Sequence, residues 1–426
     1  MMKKRFFKTA CCVVLFSVSA AAEQTDVHSE WLSGGEAEKR GGTEGGAAGV
    51  ERGKMKPDLT LRTMWIDTQS GGIGQSATAV GGHFGLETAP FRGFSGYVGV
   101  QTSQKLWGIN PSVPETVHPD LYGKNGESFT YISEAELRYE QDGLILRAGR
   151  MKVETPFADP DDLRMAYNTF EGAAAGYALS DTVTADLYYL SRWAGFDSGE
   201  AQSEFVKLAE NCDGAAAAGV TYAPDDDFEA SIWYYHVDRQ YDLFYAEAVG
   251  GTDVTPELRL EWGVQAAQMF ALDDSGIEGS VLGATGMLHY GDLYGGAAYN
   301  RAMVSGEDTV TDGFGGGPYF TSLDEATIAA ASELVPGTDV DVYRVGAGID
   351  LGRVMPETEL NLEMVYGLFA PEANPASIAE TDLLLWLETA GSLRVDMVFA
   401  SFDVRQSAHP EFDDFERYYI RIDYAF

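Results

Sequence analysis

From about residue 58 to the last residue, apolar and polar side chains alternate in short runs, the period-2 signature of β-strands with one apolar and one polar face. Leu258, Leu260, Trp262, Val264, Ala266, Phe270 and Leu272 keep even spacing, with Arg259, Glu261, Gln265 and Met269 between them. Tyr343, Val345, Ala347, Ile349 and Leu351 alternate with Arg344 and Asp350. Leu360, Leu362, Met364, Tyr366 and Leu368 alternate with Glu359, Asn361 and Glu363, and Leu393, Val395, Met397 and Phe399 with Arg394 and Asp396. Similar segments lie at 183–193 and 227–238. Weaker ones lie at 59–67, 78–88, 94–103, 129–139, 144–152, 172–179, 215–223, 240–248, 277–290, 292–302 and 380–389. With the final run this makes about eighteen strands, sixteen being the alternative. Each is about ten residues long and bounded by Gly, Pro, Asp or Asn, the length a tilted strand needs to cross a bilayer.

The last run, FERYYIRIDYAF from Phe415, places Tyr418, Ile420, Ile422, Tyr424 and Phe426 on one face and Arg417, Tyr419, Arg421 and Asp423 on the other. A terminal Phe closing an aromatic-ended apolar face resembles the assembly signal of bacterial outer-membrane barrels. The resemblance implies that Phe426, Tyr424 and Ile422 are read by a barrel-assembly machinery. At the other end Lys3, Lys4, Arg5 and Lys8 precede an apolar run over 10–18 that is too short to span a bilayer, and Ser19-Ala20-Ala21-Ala22 follows. This predicts a signal peptide over 1–22, cleaved after Ala22. Residues 23–57, rich in Gly, Glu and Lys, read as a flexible periplasmic lead-in, and 58–426 as the barrel. The expectation is therefore all-β: a transmembrane antiparallel β-barrel in the outer membrane of a Gram-negative bacterium. A soluble β-sandwich or solenoid competes poorly, since no solenoid-type repeat is visible.

No long apolar run is present and mean hydropathy is −0.16, which argues against a helical membrane protein. Forty-nine glycines suit tight turns and curved strands. Cys11 and Cys12 would leave with the signal, so the single remaining cysteine, Cys212, permits no internal disulfide. Losing the four cationic residues of the signal takes the formal charge from −37 to −41, which excludes nucleic acid as a partner and makes cation preference the default for a pore. Part of the acid is expected in exterior loops such as Asp225-Asp226-Asp227, solvated or bridged by divalent ions to lipopolysaccharide. Membrane lipid, lipopolysaccharide and small solutes or ions are the expected partners, with a homotrimer as the candidate assembly.

Enzymatic and cofactor readings find little footing. The histidines, His28, His83, His118, His236, His289 and His409, lack metal-ligand spacing. No G-x-S-x-G elbow occurs, and the glycine cluster 313–317 lacks the Lys-Ser/Thr of a phosphate loop. His236 or His289 beside a serine would suit a hydrolase, but histidines on alternating strands read better as interfacial or lumenal.

A barrel of sixteen to eighteen strands is wide enough for an aqueous channel, so selectivity needs a narrowing. Residues 153–171 suit that role. Pro156 and Pro160 forbid a central strand, and Asp159, Asp161, Asp162 and Glu171 oppose Arg164. The three aspartates could also hold Ca²⁺, although without EF-hand spacing. Arg62, Arg138, Arg147, Arg259, Arg344, Arg394 and Arg421 fall on the polar side of their strands, hence toward the lumen. Guanidinium groups facing carboxylates across a pore create a transverse field and bind carboxylates as a fork. The plainer alternative is that a polar lumen merely tolerates them.

The stretch LRAGRMKVETPFADPDDLRMAYNTFEG resembles a region of the OprD-like outer-membrane porins through Gly149, Arg150, Thr155, Pro156, Thr169, Phe170, Glu171 and Gly172, with Asp162 and Arg164 a looser match. The resemblance implies an eighteen-stranded barrel whose third extracellular loop folds inward, and an arginine track on one wall facing acids on that loop. It also implies passive diffusion of small hydrophilic solutes, carboxylate-bearing or amino-acid-like in some members, through a general cation-preferring pore in others. A surface adhesin or structural barrel is the reading from a different class.

Overall fold

The computed structural model describes residues 55–106, 108–111, 113, 116–199, 202–352, 358–372, 376–389, 392–405 and 413–426. The expected signal peptide and nearly all of the lead-in lie outside the described residues. Strand β1 (Lys56–Ser70) begins the barrel and is followed by β2 (Ile73–Glu87), β3 (Phe94–Lys105), β4 (Phe129–Gln141), β5 (Leu144–Met151), β6 (Thr169–Ser180) and β7 (Val183–Ala194). A two-residue strand, β8 (Val206–Lys207), lies in the next loop. Then come β9 (Ala215–Asp225), β10 (Phe228–Val237), β11 (Tyr241–Thr255), β12 (Leu258–Ala271), β13 (Gly279–Tyr290) and β14 (Leu293–Met303). The short helix α1 (Ile328–Leu334) precedes β15 (Val340–Asp350), β16 (Thr358–Pro371), β17 (Ser377–Thr389), β18 (Leu393–Arg405) and β19 (Phe415–Ala425).

Leaving out β8, eighteen strands pair antiparallel with their sequence neighbours, and β1 pairs with both β2 and β19, so the sheet closes. Every segment marked out by alternation is one of these staves. Closure leaves no unpaired edge, the condition for backbone in hydrocarbon. Side chains on the apolar face point outward: Leu61 and Trp65, Ile232 and Tyr234, Val264 and Phe270, and Tyr418, Ile422 and Tyr424 are all exposed. At one end the connections are brief. Asp142-Gly143, with φ of 52° and 78°, turns β4 into β5 with both residues left-handed, as a two-residue hairpin requires. At the other end lie the long connections 106–128, 152–168, 195–214 and 304–339.

Two expectations are corrected here. Asp226 and Asp227 do not sit in one of the long loops; they form the turn between β9 and β10 at the short-turn end, where Asp227 accepts from Arg259 at 2.6 Å. A charge run is solvated at either rim, so its composition could not distinguish the two. The inner wall is also less polar than a wide aqueous lumen demands. Met64, Ile66, Leu243, Met269, Val281, Val340 and Val342 face inward and are fully buried, because loops folded into the barrel pack against them and make that half a dry core.

Candidate functional site in the lumen

The loop 152–168 leaves β5 and crosses the barrel. Its base is apolar: Phe157 packs edge-on against Tyr235 and Tyr245 of β10 and β11 and against Tyr319, with ring centroids 5.5, 5.4 and 5.9 Å apart. Thr155 and Ala158 close a tight turn around Pro156, Thr155 N–H donating to Ala158 O at 2.8 Å. Gly149 and Gly172 flank the loop where strands come close, since a Cβ would lie 2.1 Å from Ala135 O and 2.0 Å from Tyr189 O respectively. The tip reaches the seam of β1 and β19, where Arg62 donates from Nη1 to Asp162 Oδ1 at 2.6 Å and to Arg164 O at 2.5 Å.

Strand register builds a basic wall around this contact. Arg62 lies opposite Asp423, Asp423 opposite Arg394, and one pleat further Arg421 lies opposite Asp396. Arg62 grips Asp423 with two bonds of 2.7 and 2.6 Å. Arg421 Nε donates to Asp396 at 2.7 Å and its Nη1 to Asp162 O. Arg394 bonds the other Asp396 oxygen at 3.1 Å and lies over the Trp386 ring. Arg417, four residues back along β19 from Arg421, donates to Thr68 at 3.1 Å and pairs with Glu325. Burial alone would raise the Asp162 carboxyl, but the adjacent Arg62 guanidinium, with Arg421 behind it, holds it well below the usual carboxylate range. The Asp162 side chain keeps 40% of its surface exposed, so the loop presents an anion to lumen water beside arginines already partly neutralised by the wall.

Other members of the sequence-derived set lie elsewhere. Arg138 and Arg147 oppose each other on β4 and β5 and share Glu136, at 3.0 and 2.7 Å. Arg344 donates to Phe320 O of the loop 304–339 at 3.2 Å. Arg259 stands at the short-turn mouth with Asp227, Asp253 and Glu261. The seven arginines are therefore not one track: Arg62, Arg394 and Arg421 form a cluster, and the rest are dispersed. Glu171 leaves the constriction altogether. It is on β6, paired at 3.6 Å with Arg150, whose guanidinium covers Phe205, on the face opposite Arg147 and Met151. Of the three aspartates only Asp162 turns toward Arg62; Asp159 turns toward backbone amides of another loop and accepts from Asp161 N–H at 2.8 Å. Among the described residues no three His, Cys, Asp or Glu side chains are arranged to hold a metal ion, so the calcium site is not assembled.

A second inward loop, 304–339, went unassigned in the alternation pattern. Its glycines wrap the first loop: Gly316 and Gly317 N–H both donate to Asp159 at 3.3 Å, and Asp159 N–H and Phe314 O form one rung of a short bridge. Burial pushes the Asp159 carboxyl up from its ordinary value. On the wall side Glu380 accepts from Glu325 and Ala326 N–H, at 3.0 and 2.6 Å, and Asp382 from Asp324 N–H at 3.3 Å. Arg164, fully buried, joins the loops: it lies 3.2 Å from Glu325 and 3.6 Å from Asp120, between the rings of Phe196 and Tyr419. Glu325, Asp120 and Arg417 were not in the candidate set. Arg417 was legible, being on the same face as Arg421, and the long gap without alternation after Met303 was the available sign of the second loop. Of the two histidines weighed for a hydrolase, His289 faces the lumen 3.4 Å from Glu261, whereas His236 faces outward 2.7 Å from Asp242.

No family model matches the chain, and no curated relative is similar to it. Solved structures are. OccAB4 of Acinetobacter baumannii superposes with a TM-score of 0.71 at 14% identity, covering 88% of this chain and 99% of its own. OccK9 (OpdG) of Pseudomonas aeruginosa gives 0.73 at 14%, and OpdK of the same organism, solved with vanillate, 0.70 at 16%; each covers 87% of this chain and 98% of its own. The fold is that of the OprD-like porins. At such identities the OprD-like likeness speaks for the architecture over nearly the whole barrel, well beyond the short stretch that carried it in the sequence.

Proposed function

We propose that this chain is an outer-membrane channel for passive diffusion of small hydrophilic solutes, with carboxylate-bearing solutes drawn to the seam wall of Arg62, Arg394, Arg421 and Arg417. The observation that carries the reading is the cluster itself. Four guanidinium groups climb one lumen wall at the level where the loop 152–168 crosses, and the half-exposed Arg394 and Asp162 remain open to water. A carboxylate arriving there replaces water with a planar fork without moving the wall, since Asp423 and Asp396 already hold the guanidinium planes. OpdK, which shares the fold, was solved with vanillate, itself a small carboxylate. In this reading the long loops face outward, the short turns face the periplasm, and Phe426, Tyr424 and Ile422 serve assembly.

A cation-preferring pore without a solute site is the second reading, favoured by the excess of acid over base in the chain, 66 residues against 29. Planar-bilayer recording of the refolded protein separates the two. Ion current that benzoate reduces in a saturable manner supports the carboxylate site. Current with cation selectivity but no benzoate effect supports the general pore, and absence of current refutes both in favour of a structural or adhesive barrel.

A further inference from the structure

Acids facing the lumen are not confined to the seam. On β10 Ile232 and Tyr234 face outward, so Glu229 and Ser231 face in; on β11 Phe244 faces outward and Glu247 in. Register sets Ser231 opposite Thr221 of β9 on one side and Glu247 of β11 on the other. Glu229, two residues along from Ser231, is then diagonal to both and within side-chain reach. Glu229 and Glu247 lie within electrostatic reach of each other. Neither makes an ion pair among the described residues, and Glu247 accepts only from the Tyr245 hydroxyl, at 2.8 Å. Thr221 is 97% buried, with 3% of its surface exposed, and its Oγ1 has no hydrogen-bond partner among the described residues; one Glu229 carboxylate oxygen is in the same state.

Two like charges and an orphaned buried hydroxyl on one patch are costly unless a cation supplies the missing partner. We propose that Glu229 and Glu247, with the hydroxyls of Thr221 and Ser231, bind a compact monovalent cation: the ammonium end of a permeating solute, or a potassium ion in its place. The donors are all oxygen, two charged and two neutral. An ammonium group has three N–H bonds to distribute over such a set, and an alkali ion accepts the same oxygens. A divalent ion fits less well, because no third carboxylate or imidazole converges on the pair among the described residues.

Position gives the site a role. With β8 left out, β10 lies eight strands from β1, nine from β19 and eight from β18 around the eighteen-strand ring, so the acid pair faces the arginine wall across the barrel. Glu229 is also the second residue after the turn 226–227, placing it toward the short-turn mouth, beyond the crossing loops. A solute carrying both charges would meet its two stations on opposite walls and at different depths.

This inference rests on the channel reading, and the test separates them. Full-length wild type and Glu229→Gln/Glu247→Gln are refolded and recorded in planar bilayers under a KCl gradient, with butylammonium as the organic probe. The double variant should lose about threefold in its cation-to-anion permeability ratio. Asp226→Asn, which removes one charge from the neighbouring turn, should leave the ratio unchanged. Block of wild-type current by butylammonium, absent in the double variant, assigns the site to ammonium groups; lost selectivity without such block assigns it to the alkali ion. An unchanged ratio in the double variant, or an equal loss in Asp226→Asn, overturns the site. A wild type that passes no current overturns the channel reading instead. If the double variant fails to refold, Glu229→Gln alone is put through the same comparison.

Discussion

Replacing Gly315 by alanine should release the two inward loops from each other. Gly315 has φ of +133°, a conformation side chains rarely adopt, and a Cβ there would lie 2.6 Å from the Asp159 carboxylate. The backbone contribution is about 1–3 kcal/mol. The overlap also forces the carboxylate away from the amides of Gly316 and Gly317, two long bonds of 3.3 Å together worth about 1 kcal/mol. A total of about 3 kcal/mol shifts the equilibrium between clasped and unclasped loops by about a hundredfold. The barrel should survive, because none of its ladder bonds is touched. Single-channel recordings should show new open-closed flicker, and protease should cut within 304–339 in the folded protein. Gly291→Ala is the control: its φ is +61° at the short-turn end, and a Cβ there meets nothing within 4 Å. If Gly315→Ala matched Gly291→Ala in both flicker and protease resistance, the glycine wrap around Asp159 would not be what holds the loops.

Two further outcomes follow from the charged groups. His118 is buried in the loop 106–128; its Nδ1 faces Asp120 N–H at 3.3 Å and its Nε2 lies 2.9 Å from Thr68 Oγ1, an arrangement that suits the neutral ring. Burial lowers its pKa from 6.5 to about 4, so its contribution is present above pH 6.5 and is lost as pH falls through that interval, about 3 kcal/mol in all. Protease nicking of 106–128 should rise between pH 6.5 and 4, and resistance undiminished at pH 4 would contradict the assignment. Arg394→Gln should weaken benzoate inhibition of current several-fold, while Arg259→Gln, at the far mouth and already engaged by three carboxylates, should change it less than about twofold. Equal effects would return all the arginines to a single track.

The barrel was legible because lipid and lumen impose opposite demands on alternate residues, and in β12 or β19 each position reads directly as in or out. The same parity already placed Arg62, Arg394, Arg417 and Arg421 on one face. It could not say which of them share a level, since that depends on pairing between strands far apart in sequence, as with Arg62 and Asp423. Nor could it reveal the loop 304–339. The partners of Asp159 there are backbone amides, which leave no mark in a pattern of side chains, and Phe314, Tyr319 and Ile328 look alike whether a loop covers a surface or fills a lumen. Glu171 was misplaced for a related reason: a strand begins two residues before it, and a bulge between Glu171 and Gly172 sets the local facing.

The ring is completed by its first and last staves, with Thr60 against Ala425 and Phe426 N–H bonded to Leu59 O at 3.0 Å. Half of the Arg62 wall is therefore contributed by a strand whose Asp423 is synthesised 361 residues after Arg62. Until Asp423 arrives, the guanidinium of Arg62 has no wall partner and β1 offers a bare edge, so folding cannot proceed stave by stave during synthesis. A cell making this chain must keep β1 from joining strangers for the whole time its neighbour is still being translated.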